Sequence, residues 1–505
     1  MAAQVPPVRH RHLFVLDYET QSDEIENFVF KDDHVVVEHQ TAPREDRITV
    51  PSEALSAELA DLLAKAPEKV QISYSRPSPY KLVGAIKVPA ERGLRVDTSL
   101  DGDWESMDAL VKGLVGSTTM NQSAVIETPN WKSFVDSGFA EVAGAEGSEI
   151  ARHFDPRELK YADSIVVSKG LLPVSAAERV HKTSEVILEV YWSGPSRERM
   201  AADLGPSIIP PQRSEQIERA VEVGMLALNP DYYVERHEFP LSGLLRKVGY
   251  NEEEDYRQIL VAVSLLSRYS HNSSFTGGFE QPMGLHPRHK LTLTGVKAPT
   301  FLPSCKLFAK YNIPRSLFLD KYQLQDLERE TPSAPASGKL IGVWGESDLE
   351  APVWEVQGWG SEAVVQIYPP DATGQEFNFT LPMHSRYEVP QEGDTKVDHE
   401  MPLPFVFWAC ANIQDPLAGE YPAVAYESLF PPNTVFYRVP GSPYSEPESV
   451  VSPYSIPVAP VQSFGVVQLA TVVAVLGGFL YLVLVLLTKP KQPKEKKQDK
   501  VKKTQ

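Results

Sequence analysis

The chain has 505 residues, 43 prolines, two cysteines and a formal net charge of −18 at pH 7. A field of this sign repels phosphate backbones, so the composition excludes a nucleic-acid-binding protein. The proline content lies well above the usual level of about 5% and favours short strands and loops over a helical bundle. We therefore expect a mainly β protein with two β-sandwich-like domains followed by one C-terminal transmembrane helix.

Short runs of β-branched and aromatic residues predict strands in the first domain, residues 1–193. These runs are His34–His39, Arg47–Val50, Val70–Tyr74, Val83–Val88 and Ser184–Trp192. A helix is predicted after Ser52, which is placed to cap it, because Leu55, Leu59 and Leu62 share one face. Residues 194–215 are rich in proline and predict a linker.

The second domain is predicted over residues 216–438. A helix is expected at Ser214–Leu228, and the strands that follow are His289–Thr294, Lys306–Lys310, Val364–Tyr368, Phe377–Leu381 and Thr434–Val439. Residues 439–463 hold several prolines and no long apolar run, which predicts an extended stalk between the folded body and the membrane.

Residues 464–487 predict a membrane span. The 23 residues Gly465–Leu487 carry no charge, and as a helix they cover about 34 Å, enough for a hydrocarbon core of about 30 Å. Residues 488–505 contain eight lysines, and the positive-inside tendency places this tail in the cytosol and the preceding body in a lumen. The mirror topology, a cytosolic body with a tail anchor, stays open.

Two signals support a lumenal body in the endoplasmic reticulum (ER). Asn121, Asn272 and Asn378 each begin an N-glycosylation sequon. Lys502 and Lys503 stand four and three places from the end and resemble the dilysine signal that retrieves membrane proteins to the ER. The alternative for these lysines is a solvated basic tail beside anionic headgroups.

Cys305 and Cys410 are the only cysteines. In an oxidising lumen they form the one possible intrachain disulfide, which would close a loop of about 105 residues. Two separate buried thiols are the alternative. Two cysteines alone do not make a zinc site, so we expect no metal and no cofactor.

Catalytic motifs are sparse in this sequence. Asp101 and Asp103 imitate the paired carboxylates of glycosyltransferases, although acidic turns are common in so acidic a chain. His237 begins an incomplete HExxH motif that Pro240 would interrupt. The pairs His10 with His12 and His286 with His289 are more simply solvated histidines, the first pair on a flexible terminus. We therefore predict no catalytic residues.

Five short motifs occur in order before the span. They are Lys306–Pro314, Leu317–Leu324, Leu349–Pro352, Leu381–Tyr387 and Phe405–Cys410, and Gly284–Leu293 precedes them. This arrangement, from about residue 220 to 487, resembles the PIG-X family in its longer fungal form. The resemblance implies a non-catalytic accessory subunit of GPI mannosyltransferase I in the ER membrane. Its partner would be the multispanning catalytic subunit that adds the first mannose to the GPI-anchor precursor.

The resemblance also implies a role in keeping that enzyme folded, and a chaperone-like task for other ER proteins. Within its motifs, His384, Arg386 and Tyr387 are candidate partner contacts, because arginine and tyrosine are enriched at binding hot spots. Two other classes stay open: an ER cargo receptor or adhesion-type binding module, and a lumenal glycosyl-transferring enzyme.

Overall fold

A computed structural model gives the structure of the protein. It describes residues 8–16, 27–31, 34–38, 42–76, 93–101, 104–116, 120, 125–136, 147–169, 185–209, 219–228, 238–248, 256–264, 267–269, 273–299, 304–330, 334, 337–370, 376–393, 395–411, 425–431, 434–439, 441 and 451–488. Within these ranges the chain is mainly β and ends in one long apolar helix. The predicted mainly β fold with one C-terminal apolar helix is confirmed.

The first region, residues 8–264, contains fourteen strands. They are β1 (Val8–Leu16), β2 (Phe28–Phe30), β3 (Val35–Val37), β4 (Arg44–Pro51), β5 (Val70–Ser75), β6 (Gly93–Thr98), β7 (Ile126–Glu127), β8 (Lys132–Asp136), β9 (Ser164–Lys169), β10 (Glu185–Trp192), β11 (Ser207–Ile209), β12 (Arg219–Leu228), β13 (Glu238–Lys247) and β14 (Tyr256–Ser264). Eleven form one sheet in the order β14-β13-β12-β1-β4-β10-β9-β5-β6-β8-β7, and β11-β3-β2 form a small second sheet. Only the β1–β12 pair in the large sheet is parallel.

Helices cover this sheet and complete its core. They are α1 (Ala57–Lys65), α2 (Met107–Val115), α3 (Glu149–His153), α4 (Pro156–Leu159) and α5 (Gly194–Leu204), and a 3-10 turn spans Ser52–Ala54. Leu59 and Leu63 of α1 and Leu110 of α2 lie in one buried cluster with Ile48 and Ile72 of the strands. The second layer of this region is therefore largely helical.

The start of α1 differs from the prediction. Ser56, and not Ser52, caps the helix, since its Oγ accepts a hydrogen bond from the backbone N–H of Leu59 at 3.3 Å. Ser52 lies in the preceding 3-10 turn instead. An N-cap serine accepts a hydrogen bond from a backbone N–H two or three residues later in the chain. Because a 3-10 turn occupies Ser52–Ala54, the helix begins after Ser56, four residues beyond the predicted cap.

The helix predicted at Ser214–Leu228 is wrong, because residues 219–228 form strand β12. This strand pairs with β1 on one side and β13 on the other. Val221, Val223 and Met225, at alternate positions, enter one buried cluster. Pairing along both edges outweighs the intrinsic preference of such a short segment.

The predicted linker also differs from the structure. Residues 194–204 form helix α5, which has proline in its first turn and ends at Gly205 with φ +80°. Proline suits this position because the first helical N–H groups lack partners anyway. Residues 219–264, predicted to open the second domain, instead extend the first sheet.

The second region contains thirteen strands. They are β15 (Ser267–Tyr269), β16 (Ser274–Phe279), β17 (Arg288–Thr294), β18 (Lys306–Pro314), β19 (Leu317–Phe318), β20 (Gly338–Gly345), β21 (Gly360–Ile367), β22 (Phe377–Pro382), β23 (His384–Ser385), β24 (Lys396–Pro402), β25 (Phe405–Ala411), β26 (Thr434–Val439) and β27 (Val451–Pro457). Helix α6 (Lys321–Glu330) and a 3-10 helix at Ala425–Leu429 accompany them. The five strands predicted here all fall on β17, β18, β21, β22 and β26, whereas the strand predicted at Val83–Val88 lies outside the described residues.

These strands build a sandwich. A six-stranded sheet has the order β15-β26-β25-β18-β21-β20, and a three-stranded sheet has the order β16-β17-β22. Leu291 and Phe379 of the smaller sheet share a buried cluster with Val365 and Trp408 of the larger one. Residues that alternate along each strand thus fill the space between two sheets.

The stalk prediction is wrong for residues 451–456, which belong to strand β27 and pair with β24. Tyr454 and Ile456 are almost fully buried in the sandwich core. A period-two pattern of apolar side chains is hidden there among the prolines that suggested an extended chain.

The C-terminal helix α7 (Phe464–Thr488) follows a short 3-10 turn. An 18-residue window within residues 461–488 has a mean hydropathy of 2.6, and this stretch is long and apolar enough to cross a membrane. Only this helix among the described residues meets both conditions. By length and composition, this helix suggests a single-pass membrane protein. Just before the helix, the N–H of Val461 donates to the carbonyl of Gln391 at 3.1 Å.

Buried charges join the first region to the second. Arg95 and Asp97 of β6 form an ion pair, and Arg95 also reaches Glu362 of β21, with Nη2 2.5 Å from Oε1. Lys310 of β18 lies 3.1 Å from the same oxygen. All four side chains are buried. Burial opposes ionisation of Glu362, but the charges of Arg95 and Lys310 outweigh it and lower the pKa of this carboxyl.

Aromatic side chains extend the contact between the first and second regions. The turn between β7 and β8 presents Trp131, whose indole is almost fully buried and clusters with Phe308 and Phe407 of the six-stranded sheet. The Trp131 and Trp344 ring centroids lie 5.8 Å apart. Asn130 next to it donates from Nδ2 to the Ser428 carbonyl at 2.9 Å. Trp131 of the first region is therefore part of a buried aromatic cluster of the second.

Candidate partner-binding site

The predicted contact residues His384, Arg386 and Tyr387 lie at one end of the sandwich. Strand β23 begins at His384 and pairs antiparallel with β19. The backbone N–H of Ser385 donates to the Leu285 carbonyl at 3.0 Å, and the N–H of Arg386 donates to the Ser316 carbonyl at 2.8 Å. These bonds fix the segment against two neighbouring loops.

The His384 side chain forms hydrogen bonds with two other side chains, His286 and Gln323. Its Nδ1 lies 3.0 Å from Nδ1 of His286, and its Nε2 lies 3.1 Å from Oε1 of Gln323. The Gln323 oxygen accepts, so Nε2 of His384 carries a proton and donates, and His286 then donates to the bare Nδ1. Burial, followed by the charge of His286, lowers the pKa of His384 and favours this neutral form.

Arg386 is only 2% exposed, so its predicted contact with a partner stays a prediction, and its contacts in this structure are internal. Its Nη1 donates to the carbonyls of Asp348 and Ala351 at 2.5 and 2.8 Å, and its guanidinium lies 4.7 Å from the Phe318 ring centroid. Burial lowers the pKa of Arg386. Arg386 is a positioning residue that holds the loop at residues 348–351.

Tyr387, in contrast, is 64% exposed. Its carbonyl accepts from the N–H of Val353 at 3.1 Å, so the backbone beside it is fixed. Other large apolar side chains are exposed on the segments tied together here. We call this set the rim: Leu285, Tyr322, Leu349, Trp354 and Tyr387. Apolar groups exposed on a rigid frame are typical of interaction sites.

Next to the rim is a cleft of about 410 Å³. It is lined by His286, Arg288, Gln323, Leu324, Leu327, Ser337, Gly338, Leu340, Val365, Phe379, Thr380, Leu381, Pro382, Met383 and His384. Most of these are apolar, and the basic groups are confined to three positions. At Gly338 a Cβ would come within 2.6 Å of the Phe379 ring, so glycine permits the close approach of β20 to β22 here.

The two histidine pairs were predicted to be solvated, but His10, His12 and His289 are buried. His289 is fully buried, with Nε2 3.0 Å from Oγ of Ser452, whereas His286 is exposed and meets His384. His10 and His12 lie buried in β1, so the flexible terminus predicted for them is wrong. Among the described residues, no three His, Cys, Asp or Glu side chains gather as metal ligands.

Asp101 has a structural role within the described residues. Its Oδ2 accepts from the backbone N–H of Glu68 at 2.9 Å. Its hydrogen bond with Ser99 is the main cause that lowers its pKa. Asp103 and His237 lie outside the described residues.

A model of the PIG-X / PBN1 family matches residues 282–487, the stretch that holds the rim, the cleft and most of the apolar helix. Residues 282–487 belong to the PIG-X / PBN1 family. The resemblance inferred from the ordered motifs is thereby confirmed.

Curated fungal relatives of the PIG-X / PBN1 family match longer stretches. The chain is 36% identical to Protein PBN1 of Yarrowia lipolytica over 308 residues, 55% of this chain and 58% of that protein. It is 31% identical to Protein pbn1 of Emericella nidulans over 280 residues, 52% of each chain. The chain thus spans a little over half the length of these two relatives. Protein pbn1 of Aspergillus fumigatus is 26% identical over 478 residues, 91% of each chain.

One solved structure is also similar, the C-terminal domain of the Streptococcus pyogenes antigen I/II-family protein AspA. It covers 86% of this chain and all of that one, at 7% identity and a TM-score of 0.13. A score this low carries no information about the fold of the PIG-X / PBN1 chain.

Other predicted residues of the family region can be placed. Cys305 and Cys410 are joined by a disulfide with an S–S distance of 2.07 Å. Asn378 is exposed on β22 and its Oδ1 accepts from Oγ1 of Thr292 at 2.8 Å. Asn121, Asn272, Lys502 and Lys503 lie outside the described residues. Glycosylation and retrieval therefore stay predictions.

Sequence reasoning missed Gln323 and Leu327, which line the cleft, and it paired His286 with the wrong histidine. Helix α6 places Gln323 and Leu327 at the cleft. No local sequence pattern predicts which surface of the sandwich a helix packs against. A signal was present for His286, because it precedes β17 as His384 follows β22, and these strands are antiparallel neighbours.

Proposed function

We propose that this protein is a non-catalytic accessory subunit of the ER GPI mannosyltransferase I complex. It would bind and stabilise the multispanning catalytic subunit that adds the first mannose to the GPI-anchor precursor. The observation that carries the proposal is the PIG-X / PBN1 match, which runs from the sandwich into the apolar helix.

Stabilisation of this kind follows from mass action. A partner that binds only the folded enzyme raises its free energy of unfolding by about 2.7 kcal/mol when present at a hundredfold excess over Kd. The rim supports a binding role, because Trp354 and Tyr387 are 54% and 64% exposed on backbone that hydrogen bonds hold in place. Large aromatic anchors on a preorganised frame lose little entropy on binding.

The proposal includes a topology, with the folded body in the ER lumen and the tail in the cytosol. Asn378 is exposed on β22, so with the body in the lumen its side chain would be accessible for glycosylation. Treatment with an endoglycosidase should increase the gel mobility of the wild-type protein. Asn378→Gln should abolish that site's share of the shift, and a protein with no glycan at any sequon would contradict a lumenal body.

The function is tested by affinity purification of the full chain in a mild detergent. We expect a multispanning mannosyltransferase to co-purify, and its level to fall when this chain is depleted. A double variant with Trp354→Ser and Tyr387→Ser should reduce the amount of enzyme that co-purifies. Ile208→Ser, at an apolar residue that is 60% exposed in the first region, is the matched control and should leave recovery unchanged. Mannosyl transfer by the purified chain alone would contradict a non-catalytic role.

A cargo receptor is separated by a second readout. If the protein cycled through later compartments, Lys502→Ser with Lys503→Ser would redistribute it and impair its function. A subunit held by a resident ER enzyme should keep the enzyme at its normal level after that change.

A further inference from the structure

The cleft lies on the open side of the sandwich. Strand β20 is the last strand of the six-stranded sheet, and β22 is the last strand of the three-stranded sheet. Residues of both strands line the cleft. Among the described strands, none pairs with the outer edge of β20 or of β22. An unpaired edge presents backbone N–H and C=O groups to an added strand.

The charge of the cleft differs from that of the whole chain. The chain has a formal net charge of −18, yet the described residues that line the cleft include Arg288, His286 and His384 and no carboxylate. The Arg288 side chain is 62% exposed and pairs at 3.3 Å with Glu280, whose side chain is 42% exposed. A basic end in an acidic protein selects for a ligand with a negative charge at that end.

The remaining lining is apolar and fixes the size of the ligand. A volume of about 410 Å³ accommodates two or three aliphatic or aromatic side chains, the lower part of the usual range for binding pockets. Leu327 of α6 is 41% exposed beside this space. Lys339 of β20 and Glu328 of α6 form an ion pair at 2.9 Å, which holds the helix beside the open edge.

We propose that the cleft binds an extended segment of the partner protein by strand addition along β22. Two or three apolar side chains of this segment fill the cleft, and an acidic residue at its end meets Arg288 and the histidine pair. This inference rests on the proposed function and names the kind of segment recognised. Backbone pairing supplies affinity and the lined cleft supplies specificity, as in other cases of strand addition. The cleft and the rim share His286, His384 and Gln323 as their boundary, so one partner covers both.

Photocrosslinking tests the occupant directly. A benzophenone side chain replaces Leu327 in the full-length protein in native membranes, and a second protein carries it in place of Leu204, which is 36% exposed in the first region. We expect the Leu327 probe to capture a protein, and mass spectrometry to place the adduct in a segment with apolar residues and an adjacent Asp or Glu. The Leu204 probe should not capture that segment. Capture of lipid alone, or no adduct, would overturn the inference.

Charge reversal tests the basic end. Arg288→Glu should reduce recovery of the co-purified partner by about fivefold, the effect of one favourable charge pair at an interface. Arg9→Glu is the matched control, because Arg9 is 61% exposed and pairs with Glu185 at 3.5 Å in the other sheet. Equal recovery for the two variants would sink the cleft proposal while leaving the accessory role intact. No partner with the wild-type chain would instead contradict the accessory role itself.

Discussion

The two regions of this protein bury charge in different ways. In the first sheet Arg44 and Asp46 pair within one strand, and His12 of the neighbouring strand lies 2.8 Å from the same carboxylate. Burial opposes ionisation of Asp46, but Arg44 and His12 prevail and lower the pKa of this carboxyl. In the second region the buried Lys310 and Glu362 instead form an ion group with Arg95 of the first. The first group lies within one region, whereas the second gains its Arg95–Glu362 pair only when both regions are in place.

This difference bears on whether the first region folds independently of the second. The PIG-X / PBN1 match begins at residue 282, which alone would suggest that the preceding residues are an appendage. Lys310 and Glu362 lie inside the match, and Glu362 also forms an ion pair with Arg95, which lies outside it. Trp131 fills an aromatic cluster of the matched sheet in the same way. The first region is therefore part of the folding unit of the second.

The largest expected effect comes from removing the disulfide of the second region. Replacing Cys305 and Cys410 with alanine opens a loop that spans 105 residues of the second region. We expect the free energy of unfolding of that region to fall by about 4–5 kcal/mol on the chain-entropy model. Differential scanning calorimetry at fixed protein concentration measures it. The first region contains no cysteine, so adding a reductant to the double variant should change nothing further.

A slightly smaller effect is expected from Glu362→Gln. The change leaves Arg95 and Lys310 buried without their shared carboxylate, and breaking a buried pair on one side costs about 3–5 kcal/mol. Limited proteolysis should then cut between the regions faster. The matched control is Glu328→Gln, which removes a partly exposed pair with Lys339 and should cost less than about 1 kcal/mol. Similar proteolysis of the two variants would show that the regions do not depend on this contact.

Much of the fold could be predicted from local sequence. Val70–Tyr74 and Thr434–Val439 are β-branched runs bounded by turn residues, and both are strands at nearly the predicted bounds. The charge-free stretch before the lysine-rich tail gave the apolar helix. Errors occurred where distant pairing decides, as in β12, which needs β1 on its edge to become a strand.

The candidate site was predicted only in part, for a related reason. His384, Arg386 and Tyr387 were found as a motif, but burial divides their roles, and burial is a property of the surrounding loops. Arg386 turns inward because the carbonyls of Asp348 and Ala351 accept its hydrogen bonds. Residues 348–351 lie more than thirty places away in the sequence, and no local periodicity links them to Arg386.

The stability of the two regions should also depend differently on pH. His289 is buried in the sandwich, and burial lowers its pKa to about 3 from 6.5. The folded state therefore binds fewer protons than the unfolded state between these values, and the stabilisation present above pH 6.5 is lost as the pH falls toward 3. At pH 5 we expect a loss of about 2 kcal/mol in the second region relative to pH 7.

His289→Gln removes this titration at a constant cost in packing. The melting temperature of the second region should then depend less on pH between 7 and 5 than in the wild type. Equal slopes for wild type and variant would show that His289 does not set the acid sensitivity of the sandwich.

The smallest expected effect concerns packing between β7 and β20. Gly345 has φ +100°, and a Cβ there would come within 2.5 Å of Cδ1 of Ile126 in the first region. Gly345→Ala should cost about 1–3 kcal/mol, because it adds a close contact to backbone strain. Gly147→Ala is matched to it, since Gly147 has φ +93° and open space where the Cβ would lie. The difference in melting temperature between the two variants measures the close contacts at Gly345, which are with Ile126 of the first region and with the Gly360 carbonyl oxygen at 2.7 Å. If the two substitutions cost the same, Ile126 yields freely and the regions meet more loosely than Trp131 and Glu362 require.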